Sequence, residues 1–361
     1  MTEVTWEGER IETDSLWYHL FQKGVELGTW DVHGLIEEIG FEEDREVWES
    51  LEPDEREQIR RLLSGFLDGE HEVGQDASDH LQQIMNAPCL EDNEVKQMYM
   101  TMLTLTEHKH TQFIDLYFRN VMTGEDNYSE LDPRRGGSRT PIVQATGLGE
   151  VYEHQGLLTA KAAHSHDPVD IAKAATNYHL NVEGTLARTG FFGINKMTDT
   201  APLPLLNYAF KFISTDEGRH ITHGVRLLQE LIAKEEAGEP AFQGVKDGIL
   251  DVLQEDVPHM GEFAYMFTDS VGDPLGIDHS DVLLRGGQLI DGMYNESLGL
   301  DVDYMKFVTR IGDRHSELVE EGIDDELEHQ RELYRRQRGV AADGGDGPAG
   351  GNGSGGDGGA S

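Results

Sequence analysis

Apolar residues recur along this chain at helical spacing, between breaks made of Gly, Pro and Asp, and runs that alternate apolar with polar residues are few. The pattern predicts an all-α protein. Helices are expected over 14–28, from Pro53 to about Met85, and from Asp92 to Met122. More follow over 145–164 and 168–195, split at Asp167-Pro168, and from Pro202 and Pro204 to about Ala237. Further helices are expected over 243–270, 280–297 and 301–338. Pro-Asp-Glu at 53–55 suits a first helical turn. Trp30 is followed by an acidic segment that the pattern leaves without an element. Residues 123–140, with Pro133 and Gly136-Gly137, read as a surface loop, and 341–361 as a disordered tail of Gly, Asp, Ala, Asn and Ser. No repeat of solenoid period occurs.

Charge narrows the partners. The 361 residues include 69 acidic and 29 basic ones, a formal charge of −40. Blocks such as Glu42-Glu43-Asp44 and Asp324-Asp325-Glu326 are spread along the chain rather than gathered at one end. That distribution suits a halophilic protein, whose excess carboxylates stand on a surface screened by molar salt. It argues against nucleic acid and anionic membranes, because no basic stripe meets phosphate. Cys89, beside Pro88, is the single cysteine and reads as a small buried hydrophobe. No signal peptide and no run of about 18 apolar residues is present, so a soluble cytoplasmic protein without a membrane span is expected.

Two Glu-x-x-His pairs, Glu107/His110 and Glu217/His220, carry the chemistry. At about 100° per residue, side chains three apart share one face of an α-helix. A carboxylate-bridged dinuclear site in a four-helix bundle needs two such pairs and one lone Glu from each of two other helices. Glu70 and Glu183 stand in the right order to supply them, 37 and 34 residues upstream. One such pair in an acidic helical protein is commonly a surface ion pair; two on separate long helices, each with its upstream Glu, form a specific set. Glu107 follows the uncharged run from Met100 to Thr106, which reads as buried, and burying Glu with His is costly unless they pair or bind metal. Glu72, two residues from Glu70, competes for the first position. His108 points away from His110, His164 and His166 border a helix break, and His71 and His223 lie near the proposed ligands. Mixed carboxylate and imidazole donors suit iron or manganese, and an open position on each ion would admit O2.

The order Glu70, Glu107-x-x-His110, Glu183, Asp216-Glu217-x-x-His220 resembles the ferritin-like small subunit of class I ribonucleotide reductase, over roughly residues 15–300. The resemblance implies a ferritin-like four-helix bundle at about 50–235 within a di-metal domain at 1–300, followed by a helical segment at 301–340. It also implies a homodimer, a Mn/Fe or Fe/Fe centre, and Trp30 reaching His110 through Asp216. Gly69-Glu70-His-Glu-Val73 and Tyr178, five residues before Glu183, resemble one branch, the R2-like ligand-binding oxidases. That branch joins the Val β-carbon to the Tyr oxygen as O2 is activated at Mn/Fe, and holds a long-chain fatty acid near the metals. On this pattern Glu70, Glu107 and His110 hold manganese, while Glu107, Glu183, Glu217 and His220 hold iron. The acidic composition adds an isoprenoid lipid as an alternative ligand.

On an ideal helix Tyr178 and Glu183 would lie about 140° apart, so this reading requires a distorted turn such as a π-bulge. The alternative is the reductase subunit itself. Against it, Ile114 stands where the radical tyrosine would be, and the Gly/Asp-rich tail offers no docking anchor. The interval from Glu70 to Glu107 is about one turn longer than the family pattern, with Asn86–Asp92 as the insertion.

Overall fold

Several helices begin where the sequence supplies a partner for their free amides. In a computed structural model describing residues 13–28, 30–122, 148–269, 277–307 and 309–312, α1 (Leu16–Leu27) starts at Ser15, whose hydroxyl accepts from Tyr18 N at 3.2 Å. The loop expected at 123–140, the tail, most of the helix expected after 301 and the side chain of Glu72 lie outside the described residues. The segment α4 (Pro53–Glu72) runs through a π turn at Val73–Ala77 into α5 (Ser78–Ile84). Before it, the acidic stretch left without an element forms two short helices, α2 (Val32–Ile39) and α3 (Glu42–Ser50). Asp31 caps the first of these through Gly34 N at 2.9 Å.

Next come α6 (Asn93–Asn120) and α7 (Leu148–Ser165), then α8 (Pro168–Ala175), capped by Asp167 through Val169 N at 2.9 Å. Helix α8 continues through π-helical Thr176–Ala187 into α9 (Arg188–Thr200). The remaining elements are α10 (Pro204–Glu236), α11 (Val245–Asp269) and α12 (His279–Ile290), the last ending in a π turn at Asp291–Ser297. No strand occurs among the described residues, and none of their helices is long and apolar enough to cross a membrane.

Helices α4, α6, α10 and the α8–α9 rod close a four-membered ring: α4 packs on α6, α6 on α10, α10 on the π segment and α9, and α9 on α4. Apolar side chains fill the ring as two clusters rather than one. Leu81, Tyr99, Leu103, Tyr178, Leu180 and Leu228 belong to one, and Leu63, Leu67, Phe113, Ile194, Phe210 and Ile213 to the other. Each of the four rods passes from one cluster to the other, and the residues at the crossing are Glu70, Glu107/His110, Glu183 and Glu217/His220. A polar belt therefore lies between two dry cores.

Two buried aspartates fix the frame. Asp44 accepts from Leu205 N at 2.9 Å, Leu206 N at 3.1 Å and Tyr117 Oη at 2.8 Å, tying α3 to the start of α10 and to α6. Burial pushes its carboxyl up, against the pull of those three donors. Asp256 on α11 accepts from Asn177 at 2.8 Å and Asn181 at 2.7 Å on one oxygen and from His154 at 2.7 Å on the other. Tyr294 donates to Asn181 at 2.5 Å. The two asparagines lie on the π segment, so this hub holds the wide turn in register. Replacing Asp256 by Ala strands these donors inside the protein and is expected to cost about 3 kcal/mol of stability, read as a lower thermal midpoint. Asp256→Asn, which keeps one acceptor oxygen, should lose less.

Candidate metal centre

Glu70, Glu107, His110 and Glu217 place one donor atom each within 4.8 Å of one another, and Glu107, Glu183, Glu217 and His220 do the same. All six side chains are buried, at most 7% exposed. The i, i+3 spacing points each Glu-x-x-His pair inward from α6 and α10, as expected from local geometry. The structure adds that Glu217 belongs to both groups, not to the second alone, so Glu107 and Glu217 are both shared. Glu70 belongs to the first group.

Each imidazole turns Nδ1 toward the belt. His110 Nδ1 faces Glu70 at 3.2 Å, Glu217 at 3.4 Å and Glu107 at 3.7 Å. His220 Nδ1 faces Glu107 at 2.8 Å, Glu183 at 3.1 Å and Glu217 at 3.4 Å. The opposite nitrogens are held by fixed partners. His110 Nε2 lies 3.0 Å from Asp216, which also accepts from Trp30 Nε1 at 2.8 Å and pairs with Arg219. The link from Trp30 through Asp216 to His110 expected from the sequence is thus formed. His220 Nε2 lies 3.0 Å from Thr106 Oγ1, whose own proton goes to Leu103 O at 2.7 Å. Both partners can only accept at these contacts, which places the proton on Nε2 and leaves Nδ1 free as a metal donor.

The electrostatics require a cation. Burial raises the Glu70 carboxyl well above the usual range despite the attraction of His110. At Glu107 burial acts in the same direction but is overcome by His220 and His110, which hold it below the usual range. Burial disfavours charge on both imidazoles, yet Glu70 beside His110 and Glu183 beside His220 raise them well above normal. Asp216 stays low because His110, Trp30 and Arg219 outweigh its burial. One N–H cannot serve three carboxylates, and Glu217 Oε2 makes no hydrogen bond. Two divalent ions would replace the missing positive charge and satisfy these oxygens, so the residues fit a metal pair.

Around the belt, Tyr178 and Glu183 sit in the π segment Thr176–Ala187, the distortion that the spacing requires. A π ladder pairs residue i with i+5, stacking residues five apart on one side. Burial, followed by Glu183, Glu107 and Glu217, pushes the Tyr178 hydroxyl well up, and it has no hydrogen-bond partner. His179 Nδ1 lies 2.9 Å from Glu183 Oε2, a contact legible in principle from the i, i+4 spacing and overlooked in the sequence. Thr106 and Arg219 were likewise unforeseen. His223 is buried against Tyr99, its ring stacked at 4.5 Å, so it stands behind the belt rather than in it. His108 and His164 are exposed, as expected. The Met100–Thr106 run is buried on one face only, since Leu105 is 59% exposed.

Beside the belt lies an apolar cavity of about 70 Å³. Leu62, Phe66, Val73, Tyr152, Val182 and Phe263 make most of its wall, and Glu70, Glu107, Glu183 and Glu217 form its polar end.

No known family pattern matches the chain. Solved structures of R2-like ligand-binding oxidases do superpose on it. A tyrosine-to-phenylalanine variant with an aerobically reconstituted Mn/Fe cofactor aligns at TM-score 0.62 and 20% identity, over 77% of this chain and 93% of its own. A glycine-to-leucine variant with an Fe/Fe cofactor aligns at 0.60 and 20%, over 78% and 93%. A third such oxidase, after photoconversion, aligns at 0.58 and 20%, over 85% and 93%. The fold is that of these ferritin-like oxidases.

Metal-free protein is expected to release protons on taking up Fe(II) or Mn(II) without oxygen. Glu70, His110 and His220 have raised pKa values and hold protons that the ions displace, so affinity should rise with pH. Calorimetry in buffers of different ionisation enthalpy reads that release, and a buffer-independent heat would contradict it. Glu107→Ala, which removes a shared carboxylate, should lower the bound metal from two ions per chain to one or none by elemental analysis.

Proposed function

We propose that this protein is an O2-using oxidoreductase, a ligand-binding oxidase with a Mn/Fe centre, Fe/Fe being the alternative loading. The observation that carries the proposal is the apolar cavity ending on the shared carboxylates and on Val73. Glu70, Glu107 and His110 would hold manganese and Glu107, Glu183, Glu217 and His220 iron, with Glu217 able to reach both. A reduced pair of this kind supplies electrons to dioxygen in a two-electron oxidation of a neighbouring group.

The chain's own residues set the conditions. Asp216 and Thr106 fix both imidazoles, and the apolar wall excludes water from the reacting space. No Lys or Arg lines the cavity among the described residues, so an acidic lipid head would find four carboxylates there and be accepted only where metal ions offset them. The ligand is a long-chain fatty acid or an isoprenoid lipid, which solvent extraction of purified protein distinguishes. The homodimer is supported by apolar surface on two packed helices, Val25 and Leu27 of α1 and Leu105 of α6, all at least 43% exposed; light scattering tests it. The second reading, a reductase small subunit, draws support from the Trp30–Asp216–His110 contacts. Against it, Ile114 is buried where that reading needs a tyrosine.

Val73 and Tyr178 are the self-processed pair. Forming the ether breaks the Tyr178 O–H and the Val73 Cβ–H, makes one C–O bond, and passes two electrons and two protons to dioxygen. Loading metal-free protein with Mn(II) and Fe(II) in air should yield a joined Val73–Tyr178 peptide, lighter by two hydrogens, absent without oxygen and absent in Tyr178→Phe. Unlinked peptides from fully metallated, oxygen-exposed protein would remove the assignment and favour the reductase reading.

A further inference from the structure

A second cavity of about 50 Å³ lies between α11, α12 and the residues Tyr304, Phe307 and Ile311. No charged side chain lines it among the described residues, and its polar groups are Thr185, Thr189 and the Tyr304 ring. The partition between the cavities is the rod that carries Glu183. Glu183, Ala187 and Gly190 face the first chamber, Thr185 and Thr189 face the second, and only Leu186 lines both. Leu186 is half-buried at the end of the π segment.

The second chamber is also kept open at a cost. A Cβ added to Gly286 would meet nothing closer than Thr189 Oγ1 at 4.0 Å. A glycine inside a helix is less favourable than alanine, and an empty apolar cavity destabilises a fold in proportion to its volume. Both unfavourable features, beside an apolar chamber that ends on the carboxylates, point to an occupant.

We propose that the two chambers form one divided site for a single-tailed lipid whose chain is too long for the first, with Leu186 as the side chain that sets the admitted length. This rests on the reading of the first chamber as a lipid site. The polar head stays at the carboxylate end, and the tail passes Leu186 into the second chamber, where it meets only apolar wall. Each methylene that enters should tighten binding about fourfold.

The test uses the full chain, loaded with Mn(II) and Fe(II) without oxygen and incubated with a mixture of straight-chain fatty acids of about 12 to 24 carbons; the acids retained after desalting are read by mass spectrometry. The wild type should favour the longest chains. Leu186→Trp, which closes the passage, and Gly286→Leu, which fills the second chamber from a different helix, should each lose retention of the longest chains about tenfold or more. Gly286→Leu, at a position that does not line the first chamber, should hold the shortest within about twofold of the wild type. If both variants fold by circular dichroism and keep the wild-type length preference, the divided site is wrong while the lipid reading stands. If the wild type retains no acid of any length, both fall together.

Discussion

Four carboxylates and two imidazoles are buried within reach of one another, and the rest of the structure is arranged around that charge. Such a cluster is stable only when protons or cations balance it, and the protein supplies few of either. Arg219 is committed to Asp216, the Nε2 proton of each imidazole goes to a partner outside the belt, and each Nδ1 meets three carboxylates. The split of the interior into two apolar clusters follows. The four rods carry apolar faces above and below, and surrender the middle to ligands that only metal can satisfy together. The same constraint explains why His110 and His220 have fixed partners at Nε2: an imidazole free to rotate could pair with a carboxylate and abandon its role as a donor.

A second layer of order comes from the backbone. An α-helix would separate Tyr178 from Glu183, and the π segment brings both toward the belt, along with His179. Such a turn is less favourable than the α-helix it interrupts and persists where tertiary contacts over-determine it. Asp256 does so by gathering Asn177 and Asn181 on one oxygen, and Tyr294 closes the network from a third π turn. The turn that shapes the metal site is thus held by α11 and by the end of α12, neither of which supplies a ligand.

The dry chamber beside the belt gives the arrangement its chemical reach. Charge interactions strengthen where water is excluded, and an apolar guest placed there meets the metal donors rather than solvent. The wall is formed by the same helices that carry Glu70 and Glu183.

Much of this was legible in the chain, and the division has a physical cause. The helical class, the two Glu-x-x-His pairs and their upstream glutamates depend on local periodicity, which sequence spacing encodes directly. Helices α2 and α3 escaped notice because they are short and lie in an acidic segment: the apolar stripe of α2 is four residues, Val32, Leu35, Ile36 and Ile39, and α3 has no capping side chain and is held by Asp44 reaching α10. The exposed side of the Met100–Thr106 run could not be read from its composition, since Leu105 is turned outward by the packing of α6 in the ring. Thr106 and Asp256 act through partners 75 to 114 residues away, which no local pattern marks, whereas the i, i+3 pair of Asp216 and Arg219 was legible and overlooked. The sequence by itself determined which side chains can bind metal. Only the tertiary structure decided that Glu217 is shared, that a π ladder turns Tyr178 and Glu183 to one side, and that two cavities meet at Leu186. Each of those depends on contacts between rods distant in the chain, whose relative positions packing alone sets.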